Sequence, residues 1–548
     1  MEEALIQVYR RRRIKCDEAK PNCLKCIKHS GSCEGYQDKP RVTTNRAEKE
    51  SRKAGSGQSR ASVTTFILLP RVLRESAFST QAEQEYFSVW YHAKDFGGSL
   101  FPNRLFTTSI AQIGSQEPSV RYAIIALGCM KLALAGELSS GTLKKAKSES
   151  FHYRQALIHY GKSLGVLRKS APGECCLRNT MMCCILFIAF EALCNNKKIV
   201  VKHISHGVAL VHQYLDATGN INDEMARRSS VDNAVDNELI QMFYRLDCHS
   251  RSINIFRNPG NKLEACHTPC TTHEISQPAP SAFKDPGEAR QSFVATQHLL
   301  ANLSRHMTHF CASYTTDAEE TTTDIIGVRG RAYSLALRNH CLIHLLGWGR
   351  AFQPLFDRAR KSRHVAPDEH RQVLYLRVEY LWTYCSIVTA RFEDCESVTR
   401  CTPHFQEMVR LADRLLSRGI SLSSPNAARD NKKNVSPEPF AIEEGLVLAL
   451  FISAIKCRDD RTGRRAVDLL ARHQARNGLF DSRECHALAV WSLALEEECI
   501  RASLPEAEYW RVMRSRQASF GESDTKPRVR ALHPVNGHFV YREDTISW

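Results

Sequence analysis

The residues best suited to chemistry stand near the start of the chain, in YRRRRIKCDEAKPNCLKCIKHSGSCEGY from Tyr9 to Tyr36. Cys16, Cys23, Cys26 and Cys33 follow a C-x6-C-x2-C-x6-C spacing. Thiolates two residues apart can share one tetrahedral zinc, and Zn–S geometry asks for four such ligands. Pro21 stiffens the turn before Cys23, and Gly31 eases the approach to Cys33. Arg10, Arg11, Arg12, Arg13, Lys15, Lys20, Lys25 and Lys28 surround the thiolates, against only Asp17 and Glu18. A compact metal knot with that charge is drawn to phosphates, and an arginine can reach guanine edges in the major groove. Zinc as cofactor and double-stranded DNA as partner are the expectation. The competing reading is a set of incidental cysteines in a basic tail that also directs nuclear import.

The stretch RRRRIKCDEAKPNCLKCIKHSGSCEGY resembles the fungal binuclear zinc cluster of transcription factors. That family's pattern is C-x2-C-x6-C, a proline-containing loop, then C-x2-C-x6-C, and residues 10–36 fit its last two thirds. In the family, six thiolates hold two zinc ions, two of them bridging. The resemblance implies that Cys16 is a terminal ligand of the first zinc and Cys23 a bridging ligand. Cys26 and Cys33 would be terminal ligands of the second. It also implies base contacts from Arg12 and Arg13 and a backbone contact from Lys15. The first two family ligands should fall at positions 6 and 9, where this sequence has Ile6 and Tyr9. The complete binuclear cluster cannot form from residues 1–37 as they stand. A true upstream exon replaced by MEEALIQVY would account for the abrupt start of the fit at Arg10, and a degenerate paralogue using one zinc or none is the other account.

The resemblance extends more loosely along the chain. TQAEQEYFSVWYHAKDFGGSLF, PSVRYAIIALGCMKLALAG, LFIAFEALCNN and GLFDSRECHALAVWSLALEEE resemble the α-helical regulatory domain that follows these clusters. It implies a nuclear, sequence-specific, DNA-binding regulator of RNA polymerase II transcription, with a homodimer or transcription cofactors as partners. Two other readings stand beside it. One is a family member that lacks DNA binding and acts through its helical domain. The other is a helical scaffold or enzyme with an incidental basic tail.

Other constellations carry less. Gly161 to Gly165 spells G-x-S-x-G, but a nucleophile elbow needs a strand before the serine. Here the motif sits among Leu157, Tyr160 and Leu167 at helical spacing. His203/His206 and His340/His344 share helix faces without an intervening carboxylate in the metalloprotease arrangement. The run Glu496, Glu497, Glu498 reads as a solvated helix end. No phosphate-binding glycine loop occurs, and nothing argues for an enzyme.

The elements that must position the basic cluster follow from composition. The chain has 548 residues, 43% of them hydrophobic, and a net charge of +16. Of that charge +7 belongs to residues 1–60, so the basic character is concentrated at the N-terminus. Of 21 cysteines, 17 lie outside the motif. With no secretory signal in sight they read as reduced, buried apolar side chains. The longest apolar run, Met181 to Phe190, is too short to span a bilayer, so no membrane partner is expected.

Residues 1–37 form the incomplete zinc module, and 38–64 a basic linker with one Val and no other large apolar side chain until 63. From 65 to 515, helical periodicity recurs in segment after segment. It shows in Tyr86, Phe87, Trp90 and Tyr91, in Val120, Ile124, Leu127 and Met130, in Leu157, Tyr160, Leu164 and Leu167, and in Ile204, Val208, Val211 and Leu215. Further helices are expected near 234–256, 290–312, 330–350, 370–392, 404–417, 440–457, 463–475 and 483–502. Pro- and Ser-rich breaks at 268–287 and 421–439 read as loops, and 516–548 as a poorly ordered tail. The fold class expected is all-α.

Overall fold

The computed structural model divides into two units, residues 1–68 and 69–548. It describes residues 78–92, 100–101, 104–140, 151–169, 174–219, 230–252, 280–313, 325–361, 366–389, 395–421, 440–441, 445–473, 475–477, 479–519, 528–535 and 537–546. The zinc module, the basic linker and most of the two Pro- and Ser-rich breaks lie outside the described residues.

Helices dominate the second unit, as the periodicity requires. α1 spans Gln81–His92, and a π-helical turn at Leu105–Ser109 runs into α2, Ile110–Gln116. α3 (Pro118–Ser140), α4 (Phe151–Lys169), α5 (Glu174–Leu193) and α6 (Lys197–Gly219) follow. Then come α7 (Ser230–Ser252), α8 (Pro286–Ser313), α9 (Ile325–Lys361) and α10 (Pro367–Val388). A short α11, Cys395–Arg400, leads into α12, Thr402–Ser421. The C-terminal part holds α13 (Val447–Lys456), α14 (Asp460–Arg472), α15 (Ser482–Arg501) and α16 (Glu506–Arg514).

The core forms because several of these helices are apolar on more than one face. Met181 to Phe190 in α5 is buried throughout, the environment an all-round apolar helix demands. α3 contributes Ile124, Ile125, Ala126 and Leu127, all fully buried, and packs against α1, α4 and α5. Gly128 lets α1 come close: a Cβ there would stand 2.0 Å from the Tyr86 carbonyl oxygen. Helix starts are set locally. Asp459 caps α14 by accepting from the Thr462 amide at 3.2 Å, and Asp481 caps α15 by accepting from the Arg483 amide at 2.9 Å. At α1, Thr80 Oγ1 accepts from the Glu83 amide at 3.2 Å, while the Glu83 carboxylate reaches back to the Ser79 amide at 2.9 Å.

Two small sheets interrupt the helices. β1 (Phe440–Ala441) pairs in parallel with β2 (Arg476–Asn477), which pairs antiparallel with β3 (Phe480–Asp481). The second sheet corrects the expectation of a poorly ordered tail. β4 (Gln517–Ser519), β5 (Arg528–Val535) and β6 (His538–Thr545) form an antiparallel meander in the order β4-β5-β6. It holds because Ala531 and Leu532 of β5 are buried with Leu495, Cys499, Trp510 and Met513. The turn is cheap as well: Val535 pairs with His538, and Gly537 supplies φ +81 in the two-residue connection. Asn536-Gly537 is a strong hairpin signal, which a search for helical periods passes over.

Other expectations also shift. Tyr86, Phe87 and Trp90 are buried, but Tyr91 is 39% exposed. On α4 the buried stripe is Ala156, His159 and Ser163, while Leu157 is 45% exposed. Ser163 Oγ donates to the Ser119 carbonyl at 2.7 Å within a continuous helix, which is not the strand-to-helix turn an elbow serine requires. Glu497 is exposed, as expected of a solvated helix end, but all three of Glu496, Glu497 and Glu498 are ion-paired. They hold Arg458 at 3.1 Å, Arg464 at 2.7 Å and His533 at 2.8 Å, joining α15 to α14, β5 and the residue before α14's cap.

Candidate nucleic-acid interface and the buried polar centres

Cys16, Cys23, Cys26 and Cys33, with Arg10, Arg11, Arg12, Arg13, Lys15, Lys20 and Lys25, all lie outside the described residues. What can be read of this site is its donor set. Four thiolates fit one tetrahedral zinc and fall two short of a six-thiolate, two-zinc cluster.

Within the described domain, charge is buried at several helix contacts and held by paired groups. Arg178 Nε and Nη2 donate to the Asp236 carboxylate at 2.6 and 2.8 Å, joining α5 to α7, and Tyr214 of α6 also donates to Asp236. Arg377 on α10 grips Glu407 on α12 at 3.0 and 2.9 Å. Such two-point guanidinium–carboxylate contacts set the angle between helices as well as their attraction. Lys197 of α6 meets Glu484 of α15 in a further buried ion pair.

A second polar centre gathers where α10, α12, α13 and α15 meet. Lys456 Nζ donates to Thr389 Oγ1 at 3.0 Å, and Thr389 donates in turn to the Cys385 carbonyl at 2.7 Å. Burial pulls the Lys456 ammonium down to about 8. The Cys401 thiol is lowered by a hydrogen bond from Cys385 and by Lys456, and Cys385 is pushed up by the same bond and by burial. Arg516 donates to the Met513 carbonyl at 2.7 Å and to the Ser492 hydroxyl, and burial lowers it to about 10. Between Lys456, Arg458, Glu496, Tyr509 and Arg516 lies a cavity of about 10 Å³, room for one water. A second cavity, beside Lys197 and Asp481, is equally small at about 10 Å³. Neither accommodates a small-molecule effector.

The cysteines whose side chains the structure describes are free thiols, buried except for half-buried Cys194, as expected for apolar use of thiols. Burial pushes Cys129, Cys183 and Cys184 up to about 12, which leaves them protonated and inert at neutral pH. His340 and His344 meet edge to face at 4.7 Å, and His203 Nε2 lies 3.3 Å from the Tyr160 hydroxyl. Among the described residues, no group of three or more His, Cys, Asp or Glu is placed to hold a metal. Nor, among them, is any helix long and apolar enough to cross a membrane.

A four-thiolate basic segment precedes the α-helical domain in the sequence, and comparison with known proteins finds likenesses to a zinc-cluster domain and to a transcription regulator. The chain carries a segment of the fungal Zn(2)-Cys(6) binuclear cluster domain, a zinc-binding domain, matched over residues 10–42. The match starts at the basic run and leaves Ile6 and Tyr9 outside it. The chain is similar to the transcription regulator lscL of Purpureocillium lilacinum, 28% identical over 218 residues, covering 38% of this chain and 49% of that one. About half of the relative's length is therefore spanned. No solved structure matches the chain significantly.

Proposed function

We propose that this protein is a zinc-dependent, sequence-specific DNA-binding regulator of RNA polymerase II transcription that acts in the nucleus. The observation that carries the reading is the four-thiolate, Arg- and Lys-rich segment whose residues 10–42 match the fungal cluster domain. In this reading Cys23, Cys26 and Cys33 bind one zinc, and Cys16 completes the tetrahedron. Arg12 and Arg13 read base edges, Lys15 holds the backbone, and Arg10, Arg11, Lys20 and Lys25 neutralise phosphates. Zinc, when bound, supplies folding free energy on the order of 10 kcal/mol to so small a module. The helical domain, held by the buried ion pairs above, is the regulatory part. It contributes no catalytic step, and transcription cofactors are its expected partners.

A second reading is favoured by Ile6 and Tyr9, which stand where the family has its first two ligands. In it the protein regulates through its helical domain and does not bind DNA. Alanine variants separate the two. Arg12→Ala or Arg13→Ala should each cost roughly 1–3 kcal/mol at a guanine-containing site and relax its specificity. Lys15→Ala should weaken binding to every duplex alike. Equal losses on specific and random duplexes for all three variants would refute base reading, and absence of duplex binding by the parent chain would favour the second reading.

A further inference from the structure

The last strand of the second sheet is an open edge. β6 pairs with β5 in unbroken register from His538↔Val535 to Thr545↔Arg528, and among the described residues nothing pairs with its other side. An edge strand leaves alternate N–H and C=O groups pointing outward without partners, a template for another strand. Proteins usually blunt such edges with charged side chains, proline, a bulge or a covering element. HFVYREDT has no proline and the eight-residue ladder has no bulge, so its edge is guarded only by the charges of Arg542, Glu543 and Asp544, which admit a strand of matching charge alone. Every residue from 540 to 545 is exposed, with Val540 at 48% and Tyr541 at 47%.

The charges of β6 select the occupant. A two-fold axis that brings two β6 edges together antiparallel stands perpendicular to the sheet, so side chains keep their face. Paired residues must then differ by an even number, and the axis passes through one residue. Centring on Arg542 sets arginine against arginine, and centring on Tyr541 sets Arg542 against Val540. Centring on Glu543 sets Arg542 opposite Asp544 twice and Tyr541 opposite Thr545 twice. The one like-charge contact, Glu543 against its own copy, is relieved by Arg530, whose Nε stands 3.8 Å from Glu543 on the same face. Among the described residues neither Arg542 nor Asp544 has an ion-pair partner within its own chain.

We infer that β6 is a dimerisation edge, which pairs antiparallel with β6 of a second copy of this chain about Glu543, so that Arg542 of each copy meets Asp544 of the other. The inference does not depend on DNA binding. Main-chain hydrogen bonds supply the attraction, as in strand addition generally, and the crossed charges supply the register.

Sedimentation velocity of the full chain over a wide concentration range is the test. The wild-type chain should self-associate to a dimer. Asp544→Arg, which places arginine opposite arginine twice, should raise the dimer dissociation constant roughly tenfold or more. Arg542→Asp combined with Asp544→Arg restores the crossed pairs and should recover the dimer. Because both side chains are exposed, unchanged circular dichroism should accompany the loss. A monomeric wild-type chain, a dimer indifferent to Asp544→Arg, or a charge swap that fails to recover association would each overturn the proposal. Hydrogen exchange that finds β6 amides protected in a monomer would assign the edge to another segment of the same chain, and would overturn it equally.

Discussion

At the scale of single residues, the clearest consequence of the packing is acid sensitivity at His203. Its Nε2 lies 3.3 Å from the Tyr160 hydroxyl and its ring meets Phe187 at 5.7 Å. Burial, aided by His206, pulls the imidazole down from 6.5 to about 4. Between those values the unfolded chain binds a proton that the folded chain refuses. Stability should therefore rise with pH from about 4 to 6.5 and be lost as pH falls through that window. His203→Phe should remove up to one proton from the linkage, about 1.4 kcal/mol per pH unit at most. Denaturant midpoints measured across the window check it, and a slope identical to the parent's would count against a buried neutral His203.

At the scale of elements, helix packing distances are the sensitive feature. α1 and α3 touch where Gly128 faces the Tyr86 carbonyl, a backbone atom that cannot swing aside. Gly128→Ala should cost about 1–3 kcal/mol despite alanine's better helix propensity. A denaturation midpoint unchanged or raised would show that the two helices do not approach so closely. The positions of the long helices were legible in the sequence because α3 and α6 declare their period and α5 carries an unbroken apolar run. The buried face of α4 was not. Its contacts are made by His159 and Ser163; the Ser119 carbonyl opposite explains why Ser163 turns inward, while His159 Nδ1 stands 3.9 Å from the Glu83 carboxylate without a hydrogen bond. The ion pairing of Glu496 to Glu498 was hidden for a similar reason, because the cationic partners come from distant sequence. The β5–β6 hairpin was announced locally by Asn536-Gly537, yet its strands had no place in an all-helical pattern. The zinc-thiolate spacing stands at the other extreme, since ligand chemistry is written directly in residue type and interval.

At the scale of the whole molecule, the chain joins a basic segment that matches a zinc-binding domain to a largely helical domain. The core from α1 to β6 is built from buried apolar side chains and paired charges, with no metal-ligand cluster among the described residues. A fragment from residue 69 onward should keep its helical circular dichroism and its melting temperature after zinc chelation. Loss of helix on chelation would show that the domain depends on the N-terminal segment or on zinc of its own. The central claim is that the metal-bearing segment binds DNA. It is tested most directly by titrating the full chain with duplex DNA at several salt concentrations, with and without a zinc chelator. The account predicts affinity that falls with salt at a log–log slope of roughly −3 to −6 and disappears on chelation. Affinity indifferent to chelation, or no duplex binding even at low salt, would contradict it.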